Sequence, residues 1–475
     1  MRDYLKFYID GAWVDAARPN IRDVINPATE QVAGRVSLGS AADVDAAVVA
    51  ARESFARFSR TSRTERIELL ERILAEYRLR QADLAAAVTE EMGAPGWLAS
   101  NAQVPIGASH LAIAIAALKN YAFEEERGTT LLVKEPIGVC GFITPWNWPL
   151  SQILSKVAPA LACGCAMVLK PSEIAPFSAC IFAEIMDAAG APAGVFNLVN
   201  GDGPGVGAAI AAHPGIDLVS FTGSTRAGIE VARNAAPTIK RVLQELGGKS
   251  PNIILDDADL ERAVTAGVSL MMRNSGQSCN APSRMLVPSR SMADAMEIAA
   301  GTANSFTVGD PGGNAQLGPV ASQAQWSKIQ ELIGKGIEEG ATLVAGGPGR
   351  PDGLERGYYV RPTIFGRVRN DMTIARAEIF GPVLSIIGYE SEDEAVAIGN
   401  DTDYGLAAYV QSGDIARARR VASKLRAGQV IINDAPMDLA APFGGYKQSG
   451  NGRERGDRAF DDYLETKAII GYGAR

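Results

Sequence analysis

Short apolar runs alternate with amphipathic segments through the middle of the chain. The first run, at 139–143, has the sequence Val-Cys-Gly-Phe-Ile and predicts a buried strand. Apolar positions then recur at helical spacing from Leu150 to Leu161, which predicts a helix that Pro159 should kink. Further apolar runs stand at 166–169, 195–199, 218–221 and 241–244. This βαβ alternation predicts a doubly wound parallel sheet, whose ligands bind beyond the carboxyl ends of the strands.

The flanking segments predict smaller elements and a second domain. Residues 8–14 alternate around an Asp-Gly pair and predict a β-hairpin, whereas 41–93 has a helical pattern. Residues 119–134 predict a connection with strand character. A second α/β region is expected from about 247 to about 447, and the alternating apolar residues that end 453–475 predict an exchanged strand. The predicted fold class is therefore α/β, with a doubly wound sheet, a second α/β unit and a small β arm.

Length and charge narrow the class of protein. The 475 residues favour two or three domains. Lys plus Arg number 46 and Asp plus Glu 54; a net charge of −8 without a basic block argues against nucleic-acid binding. No apolar run approaches the ~18 residues of a membrane helix, and the first residues lack the apolar centre of a secretory signal. We therefore expect a cytoplasmic location and no membrane partner.

Histidine and cysteine are scarce. Two histidines argue against most zinc sites and against a Ser-His-Asp triad, so no metal is expected. Five cysteines are an odd, sparse set that does not suggest a disulfide framework. Four of them lie in apolar surroundings and fit buried packing: Cys140, Cys163, Cys165 and Cys180.

Three other residues stand where chemistry could occur. Cys279 lies in a polar, Gly-containing loop, as a reactive thiolate requires, although a structural loop cysteine fits equally well. Glu245 ends a predicted strand before two glycines, where it could face a ligand or simply be an exposed turn residue. Asn147 is flanked on each side by a tryptophan and a proline, which should stiffen its backbone. It could be a rigid oxyanion donor or an ordinary turn asparagine.

The glycine-rich turns give weaker signals. Residues 203–207 fit a loose dinucleotide fingerprint, but no acidic residue follows the next strand at the required distance. The turn at 221–224 is a better candidate, because Ser224 can cap a helix whose N-terminus would face a pyrophosphate. Lys170 and Glu173 offer a cation and a carboxylate where a ribose could lie. Ordinary strand-to-helix loops remain the alternative for both segments.

Taken together, these segments resemble the NAD(P)-dependent aldehyde dehydrogenase superfamily, in its hydrolytic, non-acylating branch. The resemblance is collinear from Asn26 to the last thirty residues. It is carried by PWNWP at 145–149, KPSE at 170–173, FTGS at 221–224, ELGGK at 245–249, GQSC at 276–279, EIFGP at 378–382 and PFGGYKQSG at 442–450. Each motif alone is modest, and seven in the same order identify the family.

The resemblance implies a reaction. Cys279 would attack the aldehyde as a thiolate, while the Asn147 side chain and the Cys279 backbone N–H hold the oxyanion. Loss of hydride to the nicotinamide would leave a thioester, and Glu245 would activate the water that hydrolyses it to the carboxylic acid. A carboxylate base agrees with the low histidine count.

The resemblance also implies a cofactor site. Lys170 and Glu173 would contact the adenosine ribose, Ser224 the pyrophosphate and Glu378 the nicotinamide ribose. The other expected cofactor-binding residues are Phe380, beside the nicotinamide, and Ile143, Trp146, Phe221 and Gly223. NAD is expected as the cofactor, with NADP possible, because the Glu173 carboxylate would repel a 2′-phosphate.

Family architecture implies the domain division and the assembly. The cofactor-binding domain would comprise 1–118 and 138–246, and the catalytic domain 247–450. An oligomerisation arm would comprise 119–137 and 455–475, and a homodimer or homotetramer is expected.

The positions that resemble a substrate tunnel predict its preference. They are Trp148, Gln152, Ser155, Met437 and Phe443. Only two are aromatic, so a wide, mainly apolar tunnel for a medium-chain or aromatic aldehyde is expected. Ser155 cannot pair with an acid, which disfavours a dicarboxylic semialdehyde. The rival hypotheses are a coenzyme A-acylating relative, which generally lacks the glutamate, and a catalytically silent binding protein.

Overall fold

The computed structural model describes residues 1–473, and within them an eight-stranded sheet forms the centre of the first half of the chain. From edge to edge its strands are Gly450–Asn451, Arg241–Glu245, Leu218–Thr222, Val139–Ile143, Ala166–Lys170, Phe196–Leu198, Lys6–Ile9 and Ala12–Asp15. The five inner strands of the βαβ series are parallel. The chain starts at their centre, grows to one side and then to the other, which confirms the doubly wound topology.

Both edges of this sheet are antiparallel, which the βαβ pattern did not predict. The predicted hairpin is present: Lys6–Ile9 pairs with Ala12–Asp15 through a turn with positive φ, and its first strand joins Phe196–Leu198. At the other edge the two-residue strand Gly450–Asn451 pairs with Arg241–Glu245. The last segment of the chain is thereby joined to the strand that ends in Glu245.

The register of the inner strands aligns their carboxyl ends. Ile143 lies beside Lys170 and Phe221, and Thr222 lies beside Glu245. Because parallel strands end at one edge, these residues and the loops that follow them share one side of the sheet.

A seven-stranded sheet forms the centre of the second α/β region. In order, its strands are Thr342–Ala345, Thr363–Gly366, Val383–Tyr389, Arg284–Pro288, Pro251–Ile254, Ala407–Gln411 and Gln429–Ile432. All neighbours are parallel except the first pair. Most of these strands are buried along their whole length, as expected for a parallel sheet covered on both faces.

Two small sheets complete the fold. One contains Arg2–Tyr4, Gln31–Ser37 and Ile21–Asn26, and the other contains Leu464–Ile470, Thr130–Pro136 and Glu124–Arg127. The second sheet joins the two segments of the predicted oligomerisation arm, of which residues 474–475 lie outside the described part. Leu464–Ile470 pairs within its own chain and is exposed after its first residue. The domain boundaries and the exchange of this strand stay predictions.

Helices cover both large sheets. They are Ala41–Phe58, Arg63–Leu79, Gln81–Met92, Gly96–Leu98, Val104–Asn120, Pro149–Cys163, Phe177–Ala188, Ala208–Ala212, Thr225–Ala235, Leu260–Met272, Met292–Asn304, Gln323–Glu338, Thr373–Arg376, Glu392–Asn400, Ile415–Lys424 and Arg458–Asp462. The helix Pro149–Cys163 was predicted from its apolar face, but every one of its residues is buried. It is therefore a central helix rather than an amphipathic one.

One helical stretch has the length and hydropathy of a membrane span. Gly96–Asn120 comprises 25 residues with a mean hydropathy of 1.3, a feature that the sequence analysis did not single out. Half of its apolar window is buried inside the fold, and its longer part packs against Arg63–Leu79 and Pro149–Cys163. It therefore has the packing of a core helix.

Candidate active site

A cleft of about 640 Å³ opens at the carboxyl edge of the parallel sheet. Its lining residues are Pro145, Trp146, Asn147, Gln152, Thr222, Gly223, Ser224, Glu245, Leu246, Gly247, Cys279, Gln325, Lys328, Glu378 and Phe380. The three predicted catalytic residues, Cys279, Glu245 and Asn147, thus face one space. They come from different parts of the chain, and the fold alone brings them together.

The loop that carries Cys279 has an unusual backbone. Asn274, Ser275 and Gly276 have φ values of 55°, 54° and 72°, a region that favours glycine. A Cβ on Gly276 would lie 2.1 Å from the Gly381 carbonyl oxygen, so only glycine fits there. The strained loop is held against its surroundings, which gives Cys279 a defined place in the cleft.

The environment of Cys279 disfavours its ionisation. Cys279 is half-buried, whereas the other four cysteines are buried. Burial, and after it the carboxyl groups of Glu245 and Glu378, raises the pKa of the Cys279 thiol to about 12, and the Arg455 guanidinium acts in the opposite direction. In the protein alone the thiol is protonated at neutral pH, so nucleophilic attack requires a group that takes its proton.

Hydrogen bonds fix both the side-chain amide and the backbone carbonyl of Asn147. Its Nδ2 donates to the Gln277 carbonyl oxygen at 3.0 Å. Its own carbonyl oxygen accepts from Asn274 Nδ2 at 2.9 Å and from Gln103 Nε2 at 3.3 Å. A side-chain amide has two N–H groups, so one holds the side chain in place and the other is available to a ligand next to Cys279.

Glu245 ends its strand as a buried, unpaired carboxyl group. Its residue is 4% exposed, and neither carboxyl oxygen has a hydrogen-bond partner among residues 1–473. Burial first, and the Glu454 carboxylate second, raise the pKa of Glu245 well above its usual range, while Lys156 lowers it. A carboxyl group with a raised pKa and free oxygens is suited to accept a proton.

A buried ion pair lies behind Glu245. Lys156 Nζ donates to Thr222 Oγ1 at 2.7 Å and forms an ion pair with the Glu454 carboxylate. Lys156 is the one charged residue in the helix Pro149–Cys163 and is completely buried. Neither residue was predicted to belong to the site, although a single charge in an otherwise uncharged helix was a usable signal.

Glu378 lines the cleft and is held there by the loop that follows Glu245. Its Oε1 accepts from the Gly248 backbone N–H at 2.9 Å. A Cβ on Gly247 would lie 2.3 Å from Glu378 Oε2, so glycine is required for this approach. Burial raises the pKa of Glu378, and Gly248, Lys328 and Lys249 counteract it.

Phe380 has a left-handed backbone with φ 59° and is held by Gln325, whose Nε2 donates to the Phe380 carbonyl oxygen at 2.8 Å. Its ring packs edge-on against Trp146, with the centroids 5.5 Å apart. The two rings form an aromatic wall of the cleft.

The turn at 221–224 has the predicted form. Ser224 precedes the helix Thr225–Ala235, and its Oγ accepts from the Ala227 N–H at 3.4 Å. Phe221 is buried, and a Cβ on Gly223 would lie 2.5 Å from its ring. The helix N-terminus therefore opens into the cleft beside Ser224.

Four of the predicted cofactor residues do not line the cleft itself: Ile143, Lys170, Glu173 and Phe221. Lys170 Nζ lies 3.2 Å from Glu173 Oε2, and burial lowers the pKa of this lysine. Ile143 is buried at the end of the adjacent strand. Lys170 and Ile143 stand at the same sheet edge as the cleft, and Glu173 follows three residues after Lys170.

The predicted tunnel residues fall into two groups. Gln152 lines the cleft, Trp148 Nε1 donates to Ser278 Oγ at 2.9 Å, and Ser155 Oγ donates to the Gln152 carbonyl oxygen at 3.3 Å. Met437, which is 51% exposed, and buried Phe443 do not line the cleft and instead contact Arg455.

Two further cleft residues escaped the sequence analysis. Gln325 and Lys328 lie on the amphipathic surface helix Gln323–Glu338, where polar residues give no local signal of function. In residues 1–473, no group of three or more His, Cys, Asp or Glu side chains is close enough to hold a metal ion.

Comparisons with known proteins agree with the geometry. The aldehyde dehydrogenase family profile matches residues 13–469. The chain is 58% identical over 474 residues to a 3-succinoylsemialdehyde-pyridine dehydrogenase of Pseudomonas sp., with 99% of each chain covered. It is 50% identical over 473 residues to a putative aldehyde dehydrogenase of Staphylococcus aureus strain USA300, which covers 99% of this chain and 100% of the relative.

Two solved structures are similar to the whole chain. One is a mutant of aldehyde dehydrogenase C from Pseudomonas syringae in complex with NAD+ and octanal, at a TM-score of 0.98 and 55% identity, covering 99% of this chain and 97% of the other. The second is an aldehyde dehydrogenase from Bartonella henselae, at a TM-score of 0.97 and 49% identity, covering 99% and 100%. The chain therefore belongs to the aldehyde dehydrogenase family and is an enzyme that oxidises aldehydes with NAD.

Proposed function

We propose that the chain oxidises medium-chain or aromatic aldehydes to carboxylic acids through a thioester on Cys279. The observation that carries this proposal is the convergence of Cys279, Asn147 and Glu245 on one cleft, where Glu245 has no hydrogen-bond partner of its own. A nucleophile, an amide donor and a free proton acceptor are the groups that this reaction requires.

In the first step the thiol of Cys279 loses its proton to solvent, and Cys279 Sγ forms a bond to the aldehyde carbon. The carbonyl oxygen becomes an oxyanion, which accepts hydrogen bonds from Asn147 Nδ2 and from the Cys279 backbone N–H. Because Asn147 is already fixed by Gln277, the donor needs no reorganisation when the charge develops.

Loss of hydride from the adduct carbon then leaves a thioester on Cys279. In the second step Glu245 takes a proton from a water molecule as the water oxygen attacks the thioester carbon. The C–S bond breaks, the acid leaves, and Glu245 passes the proton that it took from water to the Cys279 thiolate. The Lys156–Glu454 ion pair places one positive and one negative charge close to Glu245, and these act on its pKa in opposite directions.

The residues of the cleft suit a dinucleotide. The Glu378 carboxylate has one oxygen bonded to Gly248 and a glycine beside the other, so a ribose hydroxyl can approach it. Ser224 and the N-terminus of its helix suit a pyrophosphate, and Trp146 and Phe380 offer an apolar wall. Bound NAD supplies the hydride acceptor. Lys170 and Glu173 would contact the adenosine ribose, with Ile143, Phe221 and Gly223 shaping the site around them.

Two similarities support the substrate class. The structure of aldehyde dehydrogenase C contains octanal, a medium-chain aldehyde, and the relative from Pseudomonas sp. is named for a pyridine semialdehyde. The proposed tunnel walls of this chain, Trp148, Gln152, Ser155, Met437 and Phe443, include small and flexible residues that leave room for such chains.

We also propose a homodimer or homotetramer in the cytoplasm. The exposed strand Leu464–Ile470 lies at the edge of its three-stranded sheet, with unpaired backbone groups that a second copy could bind. Size-exclusion chromatography with light scattering tests the assembly.

The test of the proposed function is NADH formation with purified protein, NAD and a series of aldehydes. We expect kcat/KM to rise by about fourfold for each added CH₂ until the tunnel is filled, because each buried CH₂ contributes about 0.8 kcal/mol. Highest efficiency on acetaldehyde would contradict the proposed substrate class. NADH formation that requires coenzyme A would favour the acylating rival, and no NADH with any aldehyde would favour the silent one.

A matched variant tests the tunnel. Ser155→Trp should lower kcat/KM for octanal and spare acetaldehyde, because the larger side chain would occupy space that only a long chain needs. Equal losses on both aldehydes would place Ser155 outside the tunnel.

A further inference from the structure

A positive charge lies on the proposed apolar wall of the substrate tunnel. The Arg455 guanidinium carbon lies 4.2 Å from the centroid of the Phe443 ring. One terminal nitrogen of the same side chain lies 3.7 Å from Met437 Sδ. Arg455 thus contacts two of the proposed tunnel residues, Met437 and Phe443, neither of which lines the cleft around Cys279.

The backbone holds Arg455 in that place. Phe443 and Glu454 exchange two backbone hydrogen bonds, of 2.8 and 2.7 Å, so the next residue emerges beside Phe443. Arg455 and Gly456 then have φ values of 70° and 62°. A Cβ on Gly456 would lie 2.2 Å from the Ala440 carbonyl oxygen, so the turn is pressed against the same segment. A left-handed arginine is strained, and such strain is concentrated at functional sites.

Arg455 has no anionic partner in its own chain. Within residues 1–473 no carboxylate oxygen lies within 4.0 Å of its guanidinium nitrogens, and its Nε is buried without a hydrogen-bond partner. The adjacent carboxylate, Glu454, is engaged by Lys156. By contrast, Arg453 donates to the Gly445 and Gly452 carbonyl oxygens. An unpaired buried donor is costly unless a ligand satisfies it.

The charge of Arg455 reaches the reacting residues. It lowers the pKa of both the Cys279 thiol and the Glu245 carboxyl group, against the larger effect of burial. It also contributes to the lowered pKa of His110, which burial brings to about 3 and whose Nε2 lies 3.0 Å from Ser151 Oγ. Arg455 is therefore close enough to Cys279 and Glu245 for its charge to act on both.

We propose that Arg455 determines specificity by donating hydrogen bonds to an oxygen acceptor, a carboxylate or a ketone carbonyl, carried on the chain of the aldehyde. This inference rests on the proposed oxidation of aldehydes at Cys279. Ser155, another of the proposed tunnel residues, offers no positive charge. The cation for a polar substrate group comes instead from the segment after Glu454.

The experiment compares octanal with two analogues of the same length, one ending in a carboxylate and one with a mid-chain ketone. For wild type, Arg455→Leu and Arg455→Lys, the readout is the ratio of kcat/KM for each analogue to that for octanal. In Arg455→Leu we expect this ratio to fall by about 10- to 100-fold for the analogue that binds the arginine, mainly through KM, as for one charge-assisted hydrogen bond. Arg455→Lys should recover part of the loss.

Controls separate this effect from folding and from net charge. Arg458→Leu removes one positive charge three residues further on, at a side chain that is 69% exposed, and should leave both ratios unchanged. NAD binding by Arg455→Leu verifies the fold.

The outcomes distinguish the proposed role of Arg455 from the proposed oxidation of aldehydes at Cys279. A fall confined to the carboxylate analogue assigns a semialdehyde acid, and one confined to the ketone assigns an oxo-aldehyde. Ratios that do not change in Arg455→Leu would overturn the inference while leaving the proposed function intact. Absence of NADH formation from octanal and both analogues by wild type would overturn the proposed function itself.

Discussion

The side-chain amide of Asn147 donates to the main-chain carbonyl of Gln277, two residues before Cys279, at 3.0 Å. This bond joins the loop after the first inner strand to the loop of the proposed nucleophile, which come from distant parts of the chain. It fixes the distance between the amide donor and the sulfur before any substrate binds. Stabilisation of developing charge by preorganised donors of this kind is usually the largest single contribution to catalysis.

Replacing Asn147 with Ala should therefore reduce kcat by about 10²–10³, as for one lost oxyanion donor. Steady-state kinetics and a fluorescence titration with NAD would measure the two effects separately. NAD affinity should barely change. Selective weakening of NAD binding would show that Asn147 serves the cofactor instead.

Cys279→Ala should abolish aldehyde oxidation and preserve NAD binding, because the remaining four cysteines are buried and cannot reach a substrate. Cys163→Ala is the matched control, since that thiol is buried in the core and donates to the Phe460 carbonyl oxygen at 3.7 Å. Mass spectrometry after reaction with an aldehyde should find the acyl group on Cys279 alone. More than a trace of activity in Cys279→Ala would place the nucleophile elsewhere.

Glu245→Gln should separate the two half-reactions. Steady turnover should fall by about 10²–10⁴, the usual contribution of a general base. A burst of NADH should survive, because hydride transfer needs no water. Stopped-flow absorbance measures both phases, and an equal loss of burst and turnover would contradict the assignment of Glu245 to hydrolysis.

The pKa of Cys279 gives a prediction of pH dependence. Burial and the Glu245 carboxylate raise this pKa, so the thiolate forms only as the pH rises and the rate of alkylation by iodoacetamide should increase through the alkaline range. In Glu245→Gln the like charge is gone, so the same curve should shift to lower pH. Arg455→Leu should shift it to higher pH. Quenched alkylation followed by peptide mass spectrometry would measure the curves, and shifts of the opposite sign would refute the electrostatic account.

Glu173 should make NAD the better cofactor. Its carboxylate would face a 2′-phosphate, and like charges ~4 Å apart repel by about 1 to 4 kcal/mol. Lys170, 3.2 Å away, offsets part of this repulsion. Glu173→Gln should raise kcat/KM for NADP by about tenfold, which is the equivalent of about 1.4 kcal/mol. Glu126→Gln, on the exposed strand Glu124–Arg127, controls for net charge, and unchanged NADP kinetics would show that Glu173 does not set the preference.

The sequence predicted the elements with strong periodicity and missed contacts that depend on the assembled fold. The strands around 139–143 and the helix after Pro149 follow from apolar spacing alone. Pairing of Gly450–Asn451 with Arg241–Glu245 has no local signal, because a two-residue strand with a glycine shows no alternation. Membership of the family likewise came from ordered motifs rather than from physical pattern.

The candidate site also contains residues that the sequence predicted and residues that only the folded structure brings to notice. Cys279, Glu245 and Asn147 stand in motifs that the family shares, so the resemblance found them. Arg455 does not stand out in its polar segment, because a charged side chain normally indicates a solvated surface, and Lys156 is marked only by being the one charge of its helix. Burial of Lys156 against Glu454, and of Arg455 against Phe443, is a property of the tertiary structure that composition does not reveal.

The short antiparallel edge strand has a consequence for the order of folding. Ser449 Oγ donates to the Gly247 carbonyl oxygen, 202 positions earlier, and Gly450–Asn451 pairs with the strand that ends in Glu245. A nascent chain that has not yet released residues 449–456 from the ribosome therefore already carries Cys279, Asn147 and Glu245 but lacks the edge that covers them and the carboxylate of Glu454. Such contacts, made late and across a long loop, are slow to form. Enzymatic activity should thus appear only after residues 449–456 have left the ribosome and joined the sheet.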